Sequence, residues 1–141
     1  VDKVEFIKGY NLEIPTWAEI IDNLNVSNDN GEFVKNTTPG FFVAHNAERI
    51  EKVRLVAKEL GCMFAHSYIN FLKSSRTFGD HNDTMTVRFW QGEGMTKWLV
   101  NGNEEYILNP GDLIIIPKGV YHNVKPLTPR FGISMSDEGV V

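Results

Sequence analysis

From Met63 onward, short apolar and β-branched runs alternate with turn signals. The pattern predicts strands near 63–72, 77–83, 85–91, 95–100, 104–108, 112–116, 120–125 and 130–136. Gly92-Glu93-Gly94, Asn101-Gly102-Asn103 and Asn109-Pro110-Gly111-Asp112 supply turns between them. The first 62 residues read differently. Thr16 and Glu19 have capping-box spacing just after Pro15, which predicts a helix from there to about Asn25. Residues 23–31 are polar and loop-like, and 40–44 reads as a short strand. Asn46 is placed to cap a second helix over 47–60. Its apolar side would be Ile50, Val53, Leu55, Val56 and Leu60, and Gly61 is its natural stop.

Eight short strands at this spacing suggest a mainly β chain, a double-sheet jelly roll or barrel. The two helices should pack on it. This gives one domain over 1–141, with a helical part at 1–62 and the barrel at 63–141. A chain of 141 residues suits that, and its 42% hydrophobic and 23% charged content predicts a packed core. The formal net charge is −4 and no segment is rich in Lys and Arg, so a nucleic-acid partner is not suggested. Cys62 is the single cysteine, so no internal disulfide can form. That fits a reducing, cytoplasmic setting, with Cys62 as a small buried hydrophobe. The run Leu113-Ile114-Ile115-Ile116 is far too short to span a bilayer, and the first residues lack the pattern of a secretory signal.

The candidate chemistry lies in two places. His81-Asn82-Asp83 offers an imidazole and a carboxylate two residues apart, which on a strand point to one face. Such a donor pair suits iron, manganese, nickel or zinc, and one more nitrogen would complete a two-His, one-carboxylate facial triad. His122 is the best source of that nitrogen. It follows a Gly111-Asp112 turn, an apolar strand and a Pro117-x-Gly119 turn, which would hang it over a barrel interior from a rigid corner. His45 and His66, the other two histidines, fit structural roles, although His66 could line the cavity. Phe89, Trp90 and Trp98 read as core.

The stretch 111–122 resembles the second cupin motif, G-x5-P-x-G-x2-H. The Asn that usually follows that His is replaced by Pro126. The His81-x-Asp83 segment resembles the first motif of JmjC-type cupins. The resemblance covers 77–136 and includes Gln91, Gly94 and Trp98, in a pattern like that of JmjC-type ribosomal oxygenases and asparaginyl hydroxylases. It implies a double-stranded β-helix, with His81, Asp83 and His122 as metal ligands and catalytic centre. It also implies Fe(II), or another divalent metal such as Ni, Mn or Zn, together with 2-oxoglutarate.

That cosubstrate needs a cation or polar group for its distal carboxylate. The family's usual lysine position is Thr96 here, with Lys97 one step on; strand alternation would turn Lys97 outward if Thr96 and Trp98 point in. Arg130 is a second candidate anchor and shares strand parity with Ser134 and Ser136. Tyr68 and Asn70 could add hydrogen bonds. Three readings follow. One is an Fe(II)- and 2-oxoglutarate-dependent oxygenase with a small-molecule or polypeptide substrate. The second is a metal-binding cupin without oxygenase chemistry, a small-molecule binder or isomerase. The third is an interaction module with a vestigial site. The resemblance also implies homodimers.

Overall fold

The computed structural model describes residues 3–32, 34–73 and 76–137. It contains two antiparallel sheets and two helices. The strands are β1 (Glu5–Ile7), β2 (Val34–Thr38), β3 (Phe41–Ala44), β4 (Phe64–Asn70) and β5 (Val87–Gln91). They continue with β6 (Thr96–Val100), β7 (Glu104–Leu108), β8 (Leu113–Ile116), β9 (His122–Pro126) and β10 (Arg130–Ser136). The larger sheet runs β1-β8-β5-β10-β4-β3-β2 and the smaller runs β7-β6-β9. Helix α1 is Trp17–Asp29 and α2 is Glu51–Glu59. This is the mainly β jelly roll expected from the strand spacing.

The central strands of the larger sheet are buried on both faces. Its outer face packs Ala65, Ile69, Trp90, Leu113, Phe131 and Ile133 against Ile20 of α1 and Val53 and Val56 of α2. Its inner face, with Phe89, Ile114 and Ile116, meets Trp98, Val100 and Leu108 across the barrel. Alternation along β8 therefore sends Leu113 and Ile115 to the helices and Ile114 and Ile116 into the barrel. Four consecutive apolar residues are what such a strand requires, each fully buried side chain contributing about 1.5–3 kcal/mol.

The two helices depart from expectation in instructive ways. The Thr16 cap forms as predicted: Thr16 Oγ1 accepts from the Glu19 amide at 3.1 Å, and Glu19 Oε1 accepts from the Thr16 amide at 2.9 Å. The helix then continues to Asp29 through the segment that looked like a loop. Asn23 and Ser27 face inward there. Arg49 Nη1 donates to both at 3.3 Å, and Ser27 Oγ donates to the His45 carbonyl at 2.9 Å. Polar residues hide this helical face because its partners are polar too. The second helix is shorter than 47–60. Asn46 adopts a left-handed backbone and makes no cap; its side chain bonds Glu32. A 3-10 turn at Ala47–Arg49 follows, and extended Ile50 breaks the helix before α2 starts.

The N-terminal part is also less helical than expected. It contributes β1, β2 and β3 to the larger sheet, with β1 pairing along β8 and β3 along β4. Only β3 matches a strand anticipated in that region. Cys62 is buried, as expected, and burial raises its thiol pKa. No described helix is long and apolar enough to cross a membrane.

Candidate metal centre

The predicted strand over 77–83 does not form. His81 makes a single bridge to His122 at the edge of β9. The His81 amide donates to the His122 carbonyl at 3.0 Å, and the His122 amide donates back at 2.8 Å. The Gly119 amide donates to the Asp83 carbonyl at 2.9 Å. The His81–Asp83 loop is thus tied at two points to the β8–β9 turn. Gly119 has φ +82, a left-handed conformation that favours glycine, which is why the motif carries one there. The three side chains still converge, through this lacing instead of through strand alternation. One ligand atom from each of His81, Asp83 and His122 lies within 4.8 Å of the others.

Their protonation follows from their partners. His81 Nδ1 lies 2.8 Å from the Gly79 carbonyl and His122 Nδ1 lies 3.0 Å from the Val120 carbonyl. A carbonyl only accepts, so each Nδ1 carries a proton and each Nε2 is left to face the cluster. Asp83 Oδ2 stands 3.2 Å from His122 Nε2 and 3.9 Å from His81 Nε2. In neutral imidazoles these are lone pairs turned on a carboxylate oxygen, an arrangement that only a cation relieves, a proton or a metal ion. Backbone carbonyls on the second ring nitrogen are the usual outer support of metal-binding histidines. Burial alone would raise the Asp83 pKa, but once the rings take up a proton, the hydrogen bond from His122 and the charges of His122 and His81 outweigh it and hold the carboxyl below its ordinary value. The donor set therefore fits a divalent transition metal.

A buried relay supports His122. Trp98 stacks on its ring at 5.7 Å with planes 22° apart. Trp98 Nε1 donates to Thr96 Oγ1 at 3.1 Å, Thr96 donates to Gln91 Oε1 at 3.0 Å, and Gln91 Nε2 donates to the Gly94 carbonyl at 3.0 Å. Gln91, Gly94 and Trp98 are thus joined in one chain of contacts behind the cluster. Thr96 is its middle link. It lies in the core and does not line the cavity, so its place is not that of a cosubstrate anchor. Lys97 is also outside the cavity. It turns outward, as alternation with Trp98 requires, and pairs with Glu105 at 3.2 Å.

The cluster opens into a cavity of about 230 Å³ between the sheets. Tyr68, Phe78, Phe89 and Trp98 line it, together with Arg130 and Ser134. Arg130 is 1% exposed. Its Nε donates to Asn70 Oδ1 at 2.8 Å, and its guanidinium lies 5.7 Å from the centre of the Phe89 ring. Nη1 has no hydrogen-bond partner, and no carboxylate among the described residues pairs with it. Burial pushes the guanidinium down to about 9, which leaves it charged at neutral pH. Asn70 sits behind Arg130 instead of lining the cavity, and its Nδ2 is likewise unpartnered. Burial and the Asp83 charge raise Tyr68 to about 12, so its hydroxyl keeps its proton.

The fold has close counterparts among solved structures. The chain superposes on the ribosomal oxygenase YcfD from Escherichia coli with a TM-score of 0.74, over 99% of this chain and 50% of that one, at 13% identity. A YcfD structure in complex with cobalt and 2-oxoglutarate matches with a TM-score of 0.61 over 72% of this chain and 32% of that one, at 18% identity. The chain has the cupin fold. Salicylate 1,2-dioxygenase from Pseudoaminobacter salicylatoxidans, with gentisate, is also similar: TM-score 0.59, 18% identity, 87% of this chain and 32% of that one. The chain thus spans about a third to a half of the length of these proteins. By sequence, no family model matches it, and no curated protein does.

Sequence reasoning missed the pairing of His45 with His66. Their Nδ1 atoms lie 2.8 Å apart, and His66 lines the cavity. No local sequence signal marks the contact, since it follows from the β3–β4 register that sets Ala44 across from Ser67.

Proposed function

We propose that this chain is a divalent-metal-binding cupin with an oxygenase centre that uses 2-oxoglutarate as cosubstrate. The observation that carries the reading is Arg130. A buried guanidinium with an unpaired nitrogen is costly unless an anion completes it, and it shares a cavity with the three-residue cluster. A 2-oxo diacid supplies both missing partners, a chelating end for the metal and a distal carboxylate for Arg130.

His81, Asp83 and His122 would hold the metal, and iron(II) bound there would supply redox chemistry and open coordination positions. The other residues position and shield. Asn70 fixes the Arg130 head group so that it meets a carboxylate without reorganising. The Tyr68 hydroxyl, protonated and in the electrostatic field of both Asp83 and Arg130, is a donor for an oxygen of the cosubstrate. Phe78, Phe89 and Trp98 exclude water from the space between. The size of the cavity favours a small substrate, or the tip of a larger one, since pockets for drug-sized ligands measure roughly 300–1,000 Å³.

The test is succinate release from 2-oxoglutarate by the iron(II)-loaded chain, measured without a prime substrate. Slow turnover in the wild type, lost in His81→Ala and Arg130→Met, is the expected outcome. A chain that binds metal tightly but neither binds nor consumes 2-oxoglutarate would refute the oxygenase reading.

A further inference from the structure

The cavity has a second polar wall. Along β10, Arg130, Gly132, Ser134 and Ser136 share one face, opposite Asn70, Tyr68, His66 and Phe64 of β4. Arg130 and Ser134 are four residues apart, roughly 13 Å at about 3.3 Å per residue. A carboxylate held at Arg130 therefore does not reach Ser134, which also lines the cavity. His66 stands there, 8% exposed, and its Nε2 has no hydrogen-bond partner.

The geometry points to the wall formed by His66 and Ser134 as the recognition subsite for the second substrate, one that takes a neutral hydrogen-bonding group, a primary amide or an alcohol. This rests on the reading of the cavity as a metal and 2-oxoglutarate site, whose substrate class it names.

The chemistry of the wall selects that class. The contact between His45 Nδ1 and His66 Nδ1 needs one donor and one acceptor, so the two rings cannot both carry a proton there. If His45 donates, His66 Nε2 carries a hydrogen and donates to a ligand. If His66 donates, its Nε2 accepts. The Ser134 hydroxyl has the same two-way character. A wall that can either give or take a hydrogen matches an amide or a hydroxyl, which can do both. It does not match an ion. Asp83 and Arg130 are the carboxylate and guanidinium of the lining, and both are engaged by the metal and cosubstrate in this reading. Burial, with His45 beside it, pushes His66 down to about 4, so it stays neutral and offers no charge to a carboxylate.

The test uses the full chain with isotope-labelled histidines, loaded with zinc and saturated with 2-oxoglutarate. Propionamide, propan-1-ol, propylamine and propionate are titrated in turn, four probes that differ in their end group. The readout is the imidazole spectrum of His66, assigned with His66→Gln. Propionamide and propan-1-ol are expected to shift His66 saturably, and Ser134→Ala to weaken both about threefold to tenfold. A shift by propylamine or propionate instead, or by none of the four, would overturn the subsite. The His81 and His122 rings report the metal in the same spectra. If zinc leaves them unmoved while propionamide still shifts His66, the metal reading fails and the subsite stands.

Discussion

Arg130 donates its Nε hydrogen to Asn70 Oδ1 at 2.8 Å, across one rung of the β4–β10 pair. The bond aims a charged head group along the cavity wall and leaves Nη1 unpaired. Lys97, one step from the Thr96 position, is spent on Glu105 at the surface. Arg130→Met should therefore weaken 2-oxoglutarate binding at least about 30-fold, the scale for truncating one side of a buried charged contact. Lys97→Ala should leave it within about twofold, and should change stability by less than about 1 kcal/mol, as for other exposed pairs. Titration calorimetry of both variants with metal present measures the contrast.

Thr96 is the joint of the relay behind His122. Thr96→Val keeps the volume but leaves Trp98 Nε1 and Gln91 Oε1 buried without this partner. A loss of about 1–3 kcal/mol is expected in urea denaturation, with Thr96→Ser close to wild type. If Thr96 instead held the cosubstrate, Thr96→Val would abolish 2-oxoglutarate binding at unchanged stability.

Gly132 is a matter of space. A Cβ built there would fall 2.2 Å from the Phe89 ring, the ring beside which Arg130 lies. Gly132→Ala must displace Phe89 or the strand. A cost of about 1–3 kcal/mol is expected, with a lower melting temperature. Weaker 2-oxoglutarate binding should accompany it, because the guanidinium loses its platform.

His66 gives a pH dependence of definite sign. Its pKa is about 4 in the folded chain, against an ordinary value of 6.5. Above the ordinary value both states are neutral and His66 contributes nothing. As pH falls from there toward 4, the unfolded chain takes up a proton that the folded chain refuses, so stability is lost. The loss is at most about 3 kcal/mol by pH 4. His66→Gln should flatten the stability profile over that window, read as the difference between the two denaturation series. Parallel profiles would show that His66 titrates normally in the fold.

The barrel was legible because its strands are short, apolar on the required faces and punctuated by glycine. The Gly111-to-His122 corner was legible for the same reason, since each turn residue has a backbone need behind it. The His81–Asp83 pair was found by an argument that the structure corrects. No regular strand aligns them; a two-way bridge to His122 does. What stayed hidden was polar or long-range. The second half of α1 hides because Asn23 and Ser27 face Arg49 rather than apolar partners. Strand β1 is three residues long and gains its order from β8, far along the chain. The His45–His66 contact depends on the β3–β4 register, which local sequence does not encode.

The central claim is that one cavity couples a metal at His81, Asp83 and His122 to a carboxylate at Arg130. The direct measurement is calorimetric titration of 2-oxoglutarate into the chain with and without manganese(II). We expect binding that requires the metal and disappears in His122→Ala and in Arg130→Met. Binding of equal strength without metal, or no binding with metal in place, would contradict it.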